Sequence, residues 1–120
     1  MMKKLTTAEE QIMQILWKKG KGFVKDIIED IPEPKPAYNT VSTIVRILEK
    51  KGFVSYKAYG KTHEYFCTIN KQDYARLHLK SFVKDYFGNS FSNVVSFLVN
   101  DHDMSIADLE EILSEIKKQD

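Results

Sequence analysis

A change in hydrophobic spacing at Gly52 constrains the fold of this chain more than any other feature. Before Gly52, apolar residues recur at helical spacing, at Val41, Ile44, Val45 and Leu48. After it come two runs rich in aromatic and β-branched residues, FVSYKAY and THEYFCTI, on either side of Gly60-Lys61. Such runs around a short turn that contains glycine are typical of a β-hairpin. The sequence therefore predicts a helix over about 38–51 that ends at a glycine and is followed directly by a hairpin.

Two shorter helices are predicted upstream of this segment. Thr7 and Glu10 match a Thr-x-x-Glu capping box that opens the first helix, and Gly20 ends it. Pro32 closes the second, and two further prolines in the next four residues prevent a helix there. Residues 1–69 therefore have the element order of a winged helix-turn-helix, with three short helices followed by a hairpin.

Residues 70–120 are predicted to form three more helices, which makes the fold mainly α with a small β-hairpin. Asn70 can cap the first of them, and Ser105 with Asp108 can cap the last. Their apolar surface lacks a partner in so small a chain. The helices could fold back onto the winged helix, but a symmetric homodimer is the commonest way to bury such a surface. We expect a dimerisation domain with interface residues at Val94, Val95, Leu98, Leu109, Ile112, Leu113 and Ile116.

The charge of the chain is unevenly distributed along its 120 residues, although the net charge is only +1. Residues 1–68 hold 12 Lys and Arg against 8 Asp and Glu, a net charge of +4. Residues 69–120 hold 6 against 9, a net charge of −3. Such an asymmetry indicates that the first half meets a polyanion.

The third helix and the hairpin carry the candidate DNA contacts. On a helical wheel, the side opposite the apolar stripe begins with short polar side chains and continues with cations, and Thr40 and Lys51 flank it. Short donors and acceptors near the start of a recognition helix suit base edges, and cations suit phosphates. The predicted contacts with double-stranded DNA are Asn39, Thr40, Ser42, Thr43, Arg46 and Lys50 on the helix, and Lys57, Tyr59, Lys61 and His63 on the hairpin.

Other interpretations of this surface stay open. An exposed polar face is usually only solvated surface, but the element order and the charge asymmetry favour DNA. His63 either touches a phosphate or is simply exposed. A protein-interaction module without sequence-specific DNA binding, whose acidic second half docks on another protein, is the alternative function.

Other candidate sites have weaker support in the sequence. Cys67 is the only cysteine, so it excludes an internal disulfide and a cysteine-rich metal site, and it is expected to pack in its strand. Trp17 is expected in the core, and Asp101-His102-Asp103 is more typical of a polar loop than of a metal site. No catalytic motif is present, so we expect neither an enzyme nor a cofactor.

The start of the chain lacks the apolar run of a signal peptide, and no run is long enough to insert into a membrane, which predicts a cytoplasmic protein.

The segments LTTAEEQIMQILWKKGKGFVKDIIEDI and NTVSTIVRILEKKGFV, together with the hairpin, resemble the BlaI/MecI penicillinase-repressor family. The similarity runs from about Leu5 to the end and includes the Leu16-Trp17 pair. It implies a winged-helix repressor that binds a palindromic operator as a homodimer through C-terminal helices. It also implies inactivation by proteolysis, when a membrane sensor metalloprotease responds to a β-lactam.

The resemblance also assigns individual positions. The recognition-helix match is Asn39–Thr43 followed by Arg46, and family members often carry a cation where this chain has Ser42. The bond that is cleaved in well-known members is Asn-Phe, and the matching pair here is Ser96-Phe97, which keeps the Phe. A copper-responsive branch ends in cysteine pairs, so the single cysteine disfavours copper sensing.

Overall fold

The computed structural model describes residues 4–118 of the chain. The helices are α1 (Thr7–Lys19), α2 (Val24–Glu29), α3 (Tyr38–Lys50), α4 (Lys71–Phe87), α5 (Phe91–Asn100) and α6 (Ile106–Lys118). The strands are β1 (Lys21–Gly22), β2 (Val54–Tyr59) and β3 (Thr62–Cys67). The chain is mainly helical with one small antiparallel sheet, which confirms the predicted fold class. It forms two compact units, with the division inside α4 between Arg76 and Leu77.

The capping box of α1 lies one residue earlier than predicted. Thr6, not Thr7, is the N-cap: its hydroxyl accepts a hydrogen bond from the Glu9 backbone amide at 3.2 Å. The Glu9 carboxylate accepts one from the Thr6 amide at 2.9 Å. The sequence LTTAEE offers this motif in two registers, and the structure uses the one in which Glu9, rather than Glu10, is buried.

The sheet contains a strand that the sequence analysis missed. Its order is β1-β3-β2, and both pairings are antiparallel. Lys21 pairs with Phe66 and Gly22 with Tyr65, so β1 adds to the outer edge of the predicted hairpin. A strand of two residues is too short to show an alternating pattern, which is why no sequence signal announced it.

The core of the first unit is built from α1, α2, α3 and the sheet. Its fully buried side chains include Phe53, Ile12, Met13, Leu16, Ile27, Leu48, Val41 and Val45. Trp17 packs against this core as predicted, and its indole Nε1 donates a hydrogen bond to the Ile69 carbonyl at 2.9 Å. Cys67 also packs there, and burial raises the pKa of its thiol to about 11. At neutral pH the thiol is therefore protonated and a poor nucleophile.

The helix ends in the second part of the chain follow the predicted caps. The Asn70 side chain accepts from the Asp73 amide at 2.8 Å at the start of α4. Ser105 and Asp108 exchange two hydrogen bonds of 3.0 and 3.1 Å at the start of α6.

Within residues 77–118, Val83 is the one hydrophobic side chain that is buried. None of the helices in the described residues is long and apolar enough to cross a bilayer.

Candidate nucleic-acid interface

Helix α3 is anchored along one side and open along the other. Val41, Val45 and Leu48 are buried in the core of the first unit. At its end, Gly52 adopts a φ of +86°, which lets the Phe53 amide donate to the Leu48 carbonyl at 2.9 Å and turns the chain into β2. The opposite side of the helix is exposed, and it carries Asn39, Thr40, Thr43, Ile47 and Lys50. Residues near the N-terminus of this side are therefore free to approach another molecule.

Ser42 does not face outward, so this part of the wheel prediction is wrong. Its side chain is only 8% exposed, and its hydroxyl accepts a hydrogen bond from Arg46 Nη2 at 3.0 Å. Ser42 lines a groove on this flank of α3 together with Tyr65 of β3, and the Arg46 side chain folds back along the helix to make the hydrogen bond. A helical wheel does not show a groove between the helix and another element.

Arg46 is exposed, and the bond to Ser42 restrains its guanidinium. Restraining a long side chain before binding reduces the rotamer entropy that binding would cost. The remaining donors of the planar guanidinium are available for a base edge or a phosphate. Ser42 therefore contributes to this surface through Arg46 rather than by direct exposure.

Asn39 and Thr43 lie one turn apart on the open side of α3. The Thr43 hydroxyl donates to the Asn39 carbonyl at 2.8 Å, which uses its proton inside the helix. Its lone pairs and its methyl group stay available on the surface, next to the amide of Asn39. This pair presents hydrogen-bonding groups of the kind that read base edges.

The hairpin, which we call the wing (β2, β3 and the turn between them), adds cations beside α3. Lys57, Tyr59 and Lys61 are exposed, and Lys57 Nζ lies 5.3 Å from the centre of the Tyr59 ring. His63 is half-buried and stacks on Tyr56, with ring centres 4.0 Å apart and an interplanar angle of 8°. Stacking fixes the imidazole against the sheet. It does not decide between the two roles that the sequence left open, which are contact with a phosphate and simple exposure.

A groove of about 690 Å³ separates α3 from the wing and from the start of α2. Its basic lining residues are Lys25, Arg46, Lys61 and His63. The one carboxylate in the lining, Asp26, already accepts a hydrogen bond from the Phe23 amide at 3.0 Å. The groove is therefore a concave surface of positive charge, continuous with the exposed side of α3.

Lys51 has an internal role that its place beside the polar face did not suggest. Its Nζ donates to both carboxylate oxygens of Glu9 at 2.9 Å, which joins the end of α3 to the start of α1. Burial raises the pKa of Glu9, but the Thr6 amide and the Lys51 ammonium lower it more, so the net pKa is lowered. The carboxylate stays ionised and keeps Lys51 away from the exposed surface. Sequence reasoning missed the contact because the partners are 42 residues apart.

Lys35 fixes the turn between α2 and α3. Its ammonium donates to the carbonyls of Ile28, Glu29 and Ile31 at 3.0, 3.0 and 2.7 Å. These carbonyls belong to the C-terminal end of α2 and the residues after it, where a cation is favourable. A lysine a few residues after a helix was the available sequence signal, but this segment was interpreted only as one in which prolines prevent a helix.

The second unit places the remaining predicted residues on α5 and α6. Val94, Val95, Leu98 and Leu109 are half-buried, and Ile112, Leu113 and Ile116 are exposed. Ser96 and Phe97 are both exposed inside α5, and the Phe97 ring lies 5.8 Å from that of Phe87. No cluster of three potential metal ligands occurs among residues 4–118.

The chain is similar in sequence to known bacterial repressors over nearly its whole length. The methicillin resistance regulatory protein MecI of Staphylococcus aureus (strain N315) is 28% identical over 116 residues, covering 96% of this chain and 94% of that protein. The penicillinase repressor of Bacillus licheniformis is 26% identical over 119 residues, covering 96% and 93%.

Two solved structures share the fold of the first part of the chain. The DNA-binding domain of the repressor BlaI matches with a TM-score of 0.54 and 23% identity, covering 62% of this chain and 92% of that one. Monomeric Bacillus licheniformis BlaI in complex with the blaP half-operator matches with a TM-score of 0.51, the same identity and the same coverage. These likenesses establish the winged-helix fold. The family model for the penicillinase repressor matches residues 5–118, and the chain therefore belongs to the penicillinase repressor family.

Proposed function

We propose that this protein is a transcriptional repressor that binds a palindromic operator in double-stranded DNA as a homodimer. The observation that carries the proposal is the exposed side of α3, where Asn39 and Thr43 lie beside Arg46 and Lys50 while the other side is locked into the core. The related BlaI was solved in complex with a half-operator, which supports DNA binding by this chain.

The cations around α3 and the wing supply the affinity of the proposed complex. Lys50, Lys57 and Lys61 are exposed and suit phosphate oxygens. Arg46 is restrained by Ser42 and suits a guanine edge or a phosphate. Three phosphate-contacting lysines in each of two protomers predict a slope of about −5 for the logarithm of the binding constant against that of salt concentration.

Fluorescence anisotropy with the full chain and a duplex from upstream of its own gene tests this function. We expect tight binding that weakens steeply with salt, and a loss of at least about tenfold in Arg46→Ala. Lys84→Ala, which removes an exposed cation of the second unit, is the matched control and should leave affinity unchanged. Binding that ignored both salt and Arg46→Ala would exclude the proposal.

The homodimer is proposed from the apolar surface of α5 and α6. Ile112, Leu113 and Ile116 are each exposed by two fifths or more, although they form one stripe on α6. A second copy of the chain can bury such a stripe against its own stripe in a symmetric interface. The two recognition helices of the dimer would then occupy major grooves about one helical turn or a multiple apart. Sedimentation of the purified chain should show a dimer. A stable monomer without DNA affinity would instead favour a protein-interaction module.

Inactivation by proteolysis at Ser96-Phe97 is the proposed switch. Both side chains are exposed on α5, and cleavage there would remove the entire α6 stripe from the repressor. Loss of the dimer lowers operator affinity because each half-site then binds alone. Incubation with the matching activated sensor metalloprotease, followed by mass spectrometry, should give one cut. Phe97→Ala should resist it, while Phe91→Ala, a half-exposed phenylalanine of the same helix, should be cut normally.

A further inference from the structure

An isoleucine lies on the open side of α3 that neither the core nor the polar contacts explain. Ile47 is 40% exposed, whereas Val41, Val45 and Leu48 of the same helix are almost completely buried. Ile44, on the flank of the helix, packs against the core. A single exposed apolar side chain is ordinary on a protein surface, so its exposure alone indicates no partner. The position of Ile47 on the exposed side of α3, in line with the candidate base contacts, is what makes it a candidate contact.

Ile47 continues the row formed by Asn39 and Thr43. The three residues are spaced by four positions, so their side chains lie above one another on one side of the helix. Each step advances about 6 Å along the axis, and the row spans about 12 Å, or roughly three to four base pairs. Arg46 and Lys50 lie on the same side of the row, where they can contact the backbone or a base edge while the row faces the bases.

The chemistry of this row changes along its length. Asn39 offers an amide, and Thr43 offers lone pairs and a methyl group because its proton is donated to the Asn39 carbonyl. Ile47 offers only methyl and methylene groups. In the major groove, the C5-methyl group of thymine is the one apolar feature of a base-pair edge.

We propose that Ile47, together with the methyl group of Thr43, reads the C5-methyl group of a thymine in each half of the operator. This inference rests on the proposed function, since it needs α3 in a major groove. It identifies a specificity-determining residue, because an apolar contact with that methyl group distinguishes thymine from the other bases at this position.

Replacement of thymine by deoxyuridine tests the contact, because it removes only the methyl group. Duplexes that bind the full chain are first selected from a random pool, and each thymine of a selected duplex is then replaced in turn. At one position in each half-site, deoxyuridine should weaken binding of the wild type about fourfold. This factor corresponds to the free energy of burying one methyl-sized group. In Ile47→Ala the same replacement should have a clearly smaller effect, because only the methyl group of Thr43 is left, and in Ile47→Val an intermediate one.

Lys50→Ala is the matched control, since it removes a neighbouring exposed side chain that has no apolar end. It should weaken all duplexes alike and keep the fourfold deoxyuridine effect. Thermal unfolding checks that Ile47→Ala is folded. If that variant is unfolded, the deoxyuridine scan of the wild type is compared with that of Ile47→Val instead. A pool without any enriched sequence would contradict the proposed function itself. Two results would overturn the role of Ile47 alone. In the first, a sequence is enriched but no deoxyuridine replacement weakens its binding. In the second, a replacement weakens binding by the same factor in the wild type and in Ile47→Ala.

Discussion

The two units of this chain bury their apolar residues in very different ways. In the first unit, side chains such as Phe53, Leu16 and Met13 are fully buried in one core. In the described part of the second unit, Val83 alone is buried, and residues such as Phe97 and Leu113 are about half exposed. The first unit is therefore stabilised by its own core, whereas the apolar side chains of the second stay exposed, and we propose that a second copy of the chain covers them.

The largest effect on stability is expected from a substitution in the core of the first unit. Phe53→Ala should lower the free energy of unfolding by about 3–5 kcal/mol, because it removes a fully buried ring and leaves a cavity. Urea unfolding measures it, and the loss should not depend on protein concentration. Phe91→Ala in the second unit, a 53% exposed ring, is the comparison. If both variants lost the same amount at every concentration, the two units would not differ as described.

The ion pair between α1 and α3 gives the next largest effect, and the adjacent lysines separate its role from DNA binding. Lys51→Met should cost about 3 kcal/mol of stability, because the buried Glu9 loses its cation. Lys50→Met should change stability by less than about 0.5 kcal/mol, since Lys50 is exposed, but should weaken DNA binding. Urea unfolding and anisotropy together compare the variants, and equal stability of both would contradict the internal role of Lys51.

A charge placed in the α6 stripe tests the second unit. Leu113→Asp should weaken the proposed dimer about a hundredfold, because two leucines lose their contact in a symmetric interface. Sedimentation equilibrium gives the dissociation constant. Ser114→Asp carries the same charge one position along, away from the stripe, and should leave the dimer intact. Dissociation by both variants would point to charge rather than to the stripe.

The smallest effect is a pH dependence of the first unit. The pKa of Glu9 is lowered from its ordinary value of 4.5, so the carboxylate contributes stability that is fully present above that value. This contribution is lost as the pH falls through the lowered pKa, because the native state must then take up a proton. Urea unfolding between pH 6 and the acid limit of the folded state should show a steeper decline for the wild type than for Glu9→Gln. Identical declines would exclude Glu9 as a source of acid sensitivity.

The sequence predicted several features that depend on neighbours in the chain. Gly52 ends α3 within a residue of the expected position, and Asn70 and Ser105 cap the helices they were assigned to. Each of these signals acts within one helical turn, where spacing and residue type are sufficient evidence.

Three features that depend on tertiary packing were not predicted. Ser42 was placed outward because the helical wheel includes neither the groove that Ser42 lines with Tyr65 nor the hydrogen bond from Arg46. Lys51 was placed at the edge of the polar face because its partner, Glu9, is far away in the chain. Ile47 belongs to neither the polar face nor the apolar stripe, and only its exposure in the folded chain marks it as a candidate contact.

The most direct test of the account is the sequence discrimination of Asn39→Ala. The affinities of the full chain for a selected operator and for a scrambled duplex of equal length are measured at one salt concentration. We predict that Asn39→Ala lowers the ratio of the two by about tenfold or more while the affinity for the scrambled duplex is unchanged, because the exposed side of α3 reads bases. An unchanged ratio, in a variant that is folded and dimeric like the wild type, would contradict the claim that this side of α3 recognises DNA.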